Sequence, residues 1–456
     1  MLDVQVTAHQ PLALGVRPSG TAPVQTRLHV PGSVLRGALA AAWIAEHGLP
    51  GKVPEAQRRE FIALFEGEVS YGPLFATGSH VVPLSVLRCK YRHCPTVVDE
   101  AFPHAGSGDE PSCGCGPLVP GRGEVEFTGA AGRGLVTQST HLQIDDARQI
   151  AEKSLLFTRR ALTHREADGT ERTFHGRVTP AAVLPPRAAA WLAAPRRLRL
   201  GGRRGTSGAV TYRPGPAETV PPPTGDRIAL RLTAPAILTD PAGLPLDLAD
   251  RQTLRATLDA ELAPLLGGAR VSAVERVWTR GERVGGWHAA SRLPKPVELA
   301  AGAGSVLLLA FDRPPAPDGL LTLTGRGIGL RRNEGFGALE TATTAWTQTI
   351  DPAPEPADTG WDEAKDPAES YARMLLSTGH GAWFADNLRT YVEDITTASG
   401  NRNTTLLQRP RLRRLTPYER DAVTAMLLTA PVDVLDRTLG TLTALHRLTE
   451  KETPSP

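Results

Sequence analysis

Hydrophobic and polar positions follow the same order of patterns twice along the chain. In the first half, Leu2, Val4 and Val6 alternate with polar residues, as in a half-buried strand. A helix is predicted from Ser33, whose hydroxyl can cap it, to Gly48, which ends it. Later in this half the pattern predicts strands over 81–88, 123–127, 138–145 and 174–178 and a helix over 188–194.

The second half repeats this succession. Strong alternation predicts a strand over 226–238, and helical periodicity predicts a helix over 248–266. Strands over 271–277 and 305–311 come next, and a glycine-rich segment with several arginines closes each half. The repeated order of strand, helix and strands predicts the α+β class with two tandem ferredoxin-like domains.

Two proline-rich segments divide the chain. We interpret residues 214–225 and 351–360 as linkers, because proline stiffens a chain and limits its packing. The expected organisation is a first domain over 1–213, a second over 226–350 and a helical domain over 361–456. Within the last domain, helical periodicity extends over 364–388 and 417–448.

The two glycine-rich segments, Leu198–Gly208 and Gly325–Gly337, carry the most informative chemistry. Glycine allows close approach of the backbone to a ligand, and arginine offers a planar fork of donors for phosphate oxygens. Solvated hairpin turns are the alternative, but the recurrence favours one loop used twice in a duplicated fold. The predicted RNA contacts in these loops are Gly201, Gly202, Arg203, Arg204, Gly205, Gly327, Gly329, Arg331, Arg332, Gly335, Phe336 and Gly337.

Charge and composition add limited information. The net charge of +3 is too small to indicate nucleic-acid binding by itself, but arginines cluster without acidic residues over 196–213 and 409–414. Ser33 and Arg36 lie at the predicted helix N-terminus, where free amides suit an anion. There is no apolar run of about 18 residues and no export signal at the N-terminus, so we expect a cytoplasmic protein without a membrane span.

Four cysteines lie close together, at Cys89, Cys94, Cys113 and Cys115. The segment between them is rich in Gly, Pro and acidic residues and is too polar to form its own core. Thiolate ligands would supply the missing folding energy, so the spacing predicts a structural zinc knuckle inserted over 89–115. A mixed site that uses His93 or His104, or reduced cysteines without a metal, are the alternatives.

These motifs resemble the RAMP superfamily, the RNA-binding proteins of CRISPR-Cas systems. The resemblance covers about residues 1–345 and is closest to the tandem-domain subunit of type III-D effector complexes. It rests on Val30–Leu39, His141–Ala151 with Leu156 and Phe157, both glycine loops, Val284–Pro296 and Ala303–Val306.

The resemblance implies two RRM-like ferredoxin folds and a place in an antiviral ribonucleoprotein. A subunit of this kind binds guide RNA, including its five-prime handle, through the glycine loops. Its implied protein partners are a large polymerase-like subunit and backbone RAMP subunits. Trp287 lies in one of the matching segments, where it either stacks on a base or packs in the core, and we favour the core.

Catalysis is not evident from the sequence. Backbone subunits of type III complexes cut target RNA with an aspartate after the first strand, whereas the matching loop Gly15–Leu28 contains no Asp or Glu. Guide-processing relatives use histidine, and His29 is a weak candidate by position alone. We therefore favour a non-catalytic subunit. The alternatives are a metal-independent endoribonuclease that processes guide RNA, a backbone subunit that cleaves target RNA, and a zinc-stabilised scaffold.

Overall fold

A computed structural model shows how these elements are arranged. It describes residues 1–15, 25–67, 69–90, 96–102, 112–113, 116–123, 125–127, 135–145, 150–166, 168–180, 183–203, 205–218, 221–288, 291, 293–347, 367–397, 402 and 415–452. The chain divides into two compact units. Unit 1 comprises Met1–Arg88, Val97–Pro111 and Leu118–Ile350, and unit 2 comprises Cys89–Thr96, Ser112–Pro117 and Asp351–Pro456.

The secondary structure alternates between strands and helices before it becomes helical. The strands are β1 (Leu2–Ala8), β2 (Val69–Tyr71), β3 (Phe75–Ala76), β4 (Ser79–Val81), β5 (Val86–Cys89), β6 (Val97–Asp99), β7 (Ser112–Cys113), β8 (Gly116–Pro120), β9 (Val125–Phe127), β10 (Val136–Asp145), β11 (Ile150–Leu162), β12 (Thr173–Pro180), β13 (Arg196–Arg199), β14 (Ala209–Pro216), β15 (Arg227–Leu232), β16 (Val271–Trp278), β17 (Gly281–His288), β18 (Leu293–Ala301), β19 (Val306–Phe311) and β20 (Leu339–Ala342). The α-helices are α1 (Gly32–His47), α2 (Glu55–Phe61), α3 (Pro186–Leu192), α4 (Arg251–Leu262), α5 (Pro317–Arg326), α6 (Pro367–Ser377), α7 (Gly381–Thr397), α8 (Pro417–Thr429) and α9 (Val432–Glu452).

The first large sheet has the order β13-β14-β1-β12-β2, with β3 also paired to β12. Its pairs are antiparallel. Every second residue of a strand points to the same face, and Val4, Val6 and Tyr212 are buried on the inner face. Leu39 and Trp43 of α1 belong to the same core, so the apolar side of the helix covers this face.

The second large sheet has the order β16-β19-β15-β20, again with antiparallel pairs. Leu230 and Leu309 of its central strands are fully buried. Leu254 and Leu258 of α4 and Leu323 of α5 belong to the same hydrophobic cluster. The elements β15, α4, β16, β19, α5 and β20 therefore enclose one core. β17 and β18 form a hairpin that is inserted in the chain between β16 and β19.

Smaller sheets occupy the long connections. β10 pairs with β11, β4 pairs with β9, and a four-stranded sheet has the order β6-β5-β8-β7. In unit 2, α6 and α7 both pack on α9 around Phe384, Leu388 and Leu435. The helices there agree with the predicted helical periodicity, and the mixed α+β class predicted for the chain is confirmed.

Several local predictions are wrong. α1 begins at Gly32 with Pro31 at the cap position, so Ser33 lies within the first turn and its side chain caps nothing. The predicted strand over 81–88 is two short strands, β4 and β5. Helix α5 was not predicted, because its few buried positions, among them Leu320 and Leu323, are mixed with threonines and glycines. Gly48, with φ of 102°, ends α1 as predicted.

Within unit 1 a contact between glycines joins the two large sheets. A Cβ on Gly32, at the start of α1, would overlap the carbonyl oxygen of Tyr71 and lie 2.9 Å from Cα of Gly335. A Cβ on Gly335 would lie 2.5 Å from the same oxygen. Close by, Ser70 Oγ donates to the carbonyl oxygen of Arg326 at 3.1 Å. The second glycine loop is therefore packed on the start of α1 without space for a side chain at either glycine.

We expect Gly32→Ala to destabilise unit 1 by about 2 kcal/mol, because the new methyl group would collide with backbone that cannot rotate away. The matched control is Gly37→Ala in the same helix, where nothing lies within 4 Å of an added Cβ. That change should stabilise the helix by about 0.5–1 kcal/mol. Denaturant titration followed by tryptophan fluorescence measures both. Equal effects of the two substitutions would contradict the glycine contact.

Candidate nucleic-acid interface

The two glycine loops begin with the same backbone contact. In the first loop Gly202 N donates to the carbonyl oxygen of Ala13 at 3.0 Å, and in the second Leu330 N donates to that of Ile237 at 2.9 Å. The preceding glycines, Gly201 and Gly329, have φ of 78° and 77°. Each faces that carbonyl so closely that an added Cβ would overlap it. Glycine is required at both positions for conformation and for space.

The loops also close in the same way. Leu200 N donates to the carbonyl oxygen of Gly208 at 2.8 Å, and Ile328 N donates to that of Gly337 at 3.0 Å. Between these closures, Arg203 and Arg331 have φ of 54° and 57°. They are the two non-glycine residues with left-handed φ among those the structure describes. The two glycine loops therefore have the same backbone conformation, and each has an arginine at the same strained position.

The first loop joins β13 to β14 and faces solvent. Gly202, Arg203, Gly205 and Thr206 are exposed. Arg204, a predicted RNA contact, lies outside the described residues. This loop therefore presents exposed backbone and a guanidinium, the two groups that contact a phosphate chain.

The arginines of the second loop are bound to carboxylates. Arg331 forms ion pairs with Glu298 and Glu334, the latter at 2.9 Å, and its guanidinium lies 4.7 Å from the ring centre of Phe336. Arg332 Nη1 donates to Glu261 at 3.1 Å. These acidic partners were not predicted. Glu334 lies in the motif itself, but nothing in the local sequence points to Glu261 or Glu298.

Glu334 is held in its charged form by two cations. Burial alone would raise the pKa of its carboxyl group. Hydrogen bonds from Arg331 and from Lys295, whose Nζ lies 2.6 Å from Glu334, outweigh burial and hold the pKa below its ordinary value. The side chains of Arg331 and Glu334 are only 16% and 9% exposed. The charges of this part of the second loop are therefore satisfied inside the protein.

The predicted anion site at the start of α1 is also occupied by protein contacts. Gly32 is covered by Gly335 of the second glycine loop, as described above. Arg36 Nε donates to the carbonyl oxygen of Phe65 at 2.7 Å, and its Nη2 lies 3.0 Å from Glu66. Ser33 remains exposed beside this contact. The structure thus brings Ser33, Arg36 and the second loop together, whereas the first loop lies at the end of the β13–β14 hairpin.

His29, the weak catalytic candidate, packs against Phe75 with ring centres 5.3 Å apart. Burial and, to a lesser degree, the charge of Arg27 lower its pKa to about 4. The imidazole is therefore neutral at pH 7 and lacks the proton that a general acid donates. The side chain of His141, which begins one of the segments that match the family, lies outside the described residues.

Trp287 is exposed, so the expectation that it packs in the core is wrong. It lies on the inserted β17–β18 hairpin with 62% of its surface accessible. Leu293, Val297 and Leu299 of the same hairpin are also more than half exposed. Val284 and Ala300 of the hairpin are buried with Ile237, so only part of this insertion is covered, and the alternation of its strands does not reveal which part.

Two of the four cysteines can be placed. Cys89 ends β5 and is buried, and Cys113 lies on β7, where its Sγ donates to the carbonyl oxygen of Gly116 at 3.1 Å. Lys90 N donates to the carbonyl oxygen of Pro117. Cys94 and Cys115 lie outside the described residues. Among the residues that the structure describes, no three His, Cys, Asp or Glu side chains group as metal ligands.

We expect Arg331→Ala to destabilise the protein by about 3 kcal/mol, because Glu298 and Glu334 would lose a buried counter-ion. The matched control, Arg203→Ala, changes the equivalent but exposed arginine and should alter stability by less than about 0.5 kcal/mol. Since the pKa of Glu334 is depressed, the destabilisation should be complete above about pH 4.5 and shrink as the pH falls further. Denaturant titrations at several pH values measure it. An equal loss in both variants would contradict the assigned ion pairs.

Comparison with known proteins connects part of the chain to one family. Residues 137–323 match the family model described as CRISPR-associated protein (Cas_Cmr3), which is less than half of the chain and ends before the second glycine loop. No curated protein matches the chain. In the described part of the chain, no helix is long and apolar enough to cross a membrane.

Similar solved structures share little sequence with this chain. A chain of the type III-B Cmr-beta bound to cognate target RNA is 11% identical, with 67% of this chain and 86% of that chain covered and a TM-score of 0.36. The CRISPR associated protein Cas6 is 9% identical over 75% and 98% of the two chains, with a TM-score of 0.29. The CRISPR endoribonuclease Cse3 bound to 19 nt RNA is 15% identical over 45% and 80%, with a TM-score of 0.20. The family match relates residues 137–323 to a family of CRISPR-associated proteins.

Proposed function

We propose that this protein is a non-catalytic guide-RNA-binding subunit of a type III CRISPR ribonucleoprotein. It holds the backbone or the five-prime handle of the guide RNA and docks to a large polymerase-like subunit and to backbone RAMP subunits. We assign it to the type III-D complexes on the motifs that resemble their tandem subunit. The family match over residues 137–323, which includes the first glycine loop, supports the CRISPR assignment.

Two ferredoxin-like domains are part of this proposal. A ferredoxin-like domain has the element order βαββαβ, and the second sheet has that order once the β17–β18 insertion is set aside. In the first domain β1, α1, β2, β12, α3 and β14 follow the same order, with the sheet order β14-β1-β12-β2. The corresponding order in the second domain is β20-β15-β19-β16. The two equivalent glycine loops add independent support for a duplication.

The exposed first glycine loop is the observation that carries the proposal. Its backbone is held by Ala13 on the protein side, which leaves Gly202 and Gly205 accessible from solvent. Arg203 stands between them in a left-handed conformation. Accessible glycine backbone allows close approach of a phosphate chain, and arginine neutralises it. We therefore assign the main RNA contact to this loop, although the second loop matches the family motif better.

The second loop contributes to RNA binding mainly by holding neighbouring parts of the protein in place, and less through contacts of its own arginines. Its arginines are engaged by Glu261, Glu298 and Glu334. We infer that it fixes the start of α1 and that only its exposed residues, such as Leu330, reach the RNA. Phosphate binding by Arg331 would have to break a buried ion pair, and this disfavours it.

An endoribonuclease is the competing function. It would use His29 as a general base, since a histidine with a pKa of about 4 is unprotonated at neutral pH. Such an enzyme should cut repeat RNA into discrete products in the presence of EDTA, and the products should vanish in His29→Ala. A non-catalytic subunit leaves the RNA intact in both proteins.

We expect Arg203→Ala to weaken binding of single-stranded RNA and to reduce the slope of log affinity against log salt by about 0.7, the loss of one phosphate contact. Alanine keeps a Cβ at this position, so backbone strain is unchanged. The control is Arg59→Ala, which removes an exposed arginine of α2. Fluorescence anisotropy between about 50 and 200 mM salt measures the slope. An unchanged slope in Arg203→Ala would contradict the loop assignment.

We also propose a structural zinc ion bound by Cys89, Cys94, Cys113 and Cys115. The β7–β8 hairpin supports this proposal, because it carries Cys113 and is hydrogen-bonded through Pro117 to Lys90, next to Cys89. Four thiolates form a closed tetrahedral site without an open position, so the zinc would stabilise the insertion rather than catalyse a reaction.

Elemental analysis of the purified chain should find about one zinc per chain, the expectation for a closed four-thiolate site. Replacement of both Cys113 and Cys115 by serine should remove it, because two of the four ligands are lost. Full zinc occupancy in this double variant would rule out the site. Retention of RNA binding by the variant would show that the zinc is separable from the RNA contact.

A further inference from the structure

The outer face of the first large sheet carries polar and basic side chains in rows. On β1, β12, β13 and β14, the residues that alternate with the buried core point away from it. One row across the four strands, fixed by the pairing register, is Arg197, Thr211, Thr7 and Thr173. The next is Arg213, Gln5 and His175 on β14, β1 and β12. Every one of these side chains can form hydrogen bonds.

The charge on this face is positive and largely unopposed. Arg197 and Arg213 are exposed, and among the described residues neither guanidinium group has a side-chain hydrogen bond or an ion pair. The nearby carboxylates are already engaged: Asp3 lies 3.0 Å from Arg177, and Glu171 lies 2.7 Å from His9. The two guanidinium groups are therefore surrounded by hydroxyl, amide and imidazole groups, and neither has a carboxylate of the described residues as a counter-ion.

The composition of this face favours a nucleic-acid backbone over a protein. A stable protein interface needs buried aromatic or aliphatic anchors, and the outward positions of the two rows provide none on β1, β13 and β14. Arginine, threonine and glutamine are the side chains that contact phosphate and sugar oxygens. The one aromatic ring beside these rows in the described part of the sheet is Phe75 of β3, which pairs with His175, so on β1, β13 and β14 the face would contact the RNA through its phosphate backbone and without preference for sequence.

The face ends at the first glycine loop. β13 and β14 are the strands that this loop joins, so Arg199 and Arg203 continue the basic surface into the loop. A cavity of about 660 Å³ opens beside the same edge, with Arg197, Arg199 and His9 together with Ala38, Ala41 and Ala42 of α1 in its walls. Its alanines give it an apolar side and its arginines a basic one, which suits a single unstacked nucleotide.

We propose that the outer face of the first sheet is a second RNA-binding surface, on which single-stranded RNA held at the first glycine loop continues across Arg197 and Arg213. The inference rests on the proposed function, because the loop supplies the first contact. The face adds phosphate contacts to a strand that is long enough to leave the loop. The binding there is electrostatic and independent of sequence.

The test compares oligouridylates of about 8 and about 24 nucleotides, the shorter close to the site size of a single small fold. Wild-type full-length protein should bind the longer RNA more tightly. The double variant Arg197→Ala/Arg213→Ala should bind the shorter RNA like wild type, bind the longer RNA about tenfold more weakly, and lose about 1.4 units of its salt slope. Arg197→Lys/Arg213→Lys should keep the slope, since lysine retains the charge.

The control Arg59→Ala/Arg373→Ala removes the same charge from exposed helical positions and should leave both RNAs unaffected. Thermal unfolding confirms that every variant is folded. If wild type binds neither RNA, the proposed function fails and this inference with it. If wild type binds both and the face variant matches it in affinity and slope, only this inference fails. A face variant with normal RNA binding that no longer copurifies with other subunits would instead assign the face to an acidic protein partner.

Discussion

A backbone carbonyl oxygen that fills the space of a side chain shapes each glycine loop, and contacts of this kind also fix how the two large sheets of unit 1 meet. The carbonyl oxygen of Ala13 occupies the space where a side chain of Gly201 would lie, and the carbonyl oxygen of Ile237 does the same at Gly329. The residue two positions later is in each loop an arginine with a left-handed backbone, Arg203 in the first loop and Arg331 in the second. The same packing without side chains recurs where Gly335 meets Gly32, so one type of contact builds both loops and joins the two sheets.

The two loops share one backbone conformation but differ in the groups that surround the arginine. Arg331 contacts two carboxylates and an aromatic ring. Because these charges are largely removed from water, breaking the ion pairs would cost much free energy. Arg203 is exposed on the β13–β14 hairpin. A duplicated fold can divide its tasks in this way, because a loop whose arginine is buried can serve as a rigid joint while the arginine of its counterpart stays accessible to a ligand. The loop with the better sequence motif is therefore the less available of the two for phosphate.

Strong local patterns made much of the fold predictable. The core strands, α4 and the stop of α1 at Gly48 follow from periodicity and from the conformational freedom of glycine. The failures depend on tertiary structure. Ser33 does not cap α1, because Pro31 and Gly32 place the start one residue earlier against Tyr71. Trp287 looks like a core residue by composition, but it lies on a part of its hairpin that stays exposed. No periodicity reveals which arginine meets a distant carboxylate, as Arg331 meets Glu298.

The pairing of arginines explains how a chain with a net charge of only +3 can present a basic surface. Net charge counts each arginine equally, but Arg172, Arg231 and Arg331 are buried beside carboxylates and add little to the outer field. Arg197 and Arg213 lie on an open sheet face, where neighbouring acids already have partners. Field strength at a surface depends on unopposed nearby charges, since salt screens those beyond about 10 Å. A phosphate chain therefore meets a local concentration of positive charge that the total charge conceals, because the acidic residues nearest to Arg197 and Arg213 are paired with Arg177 and His9.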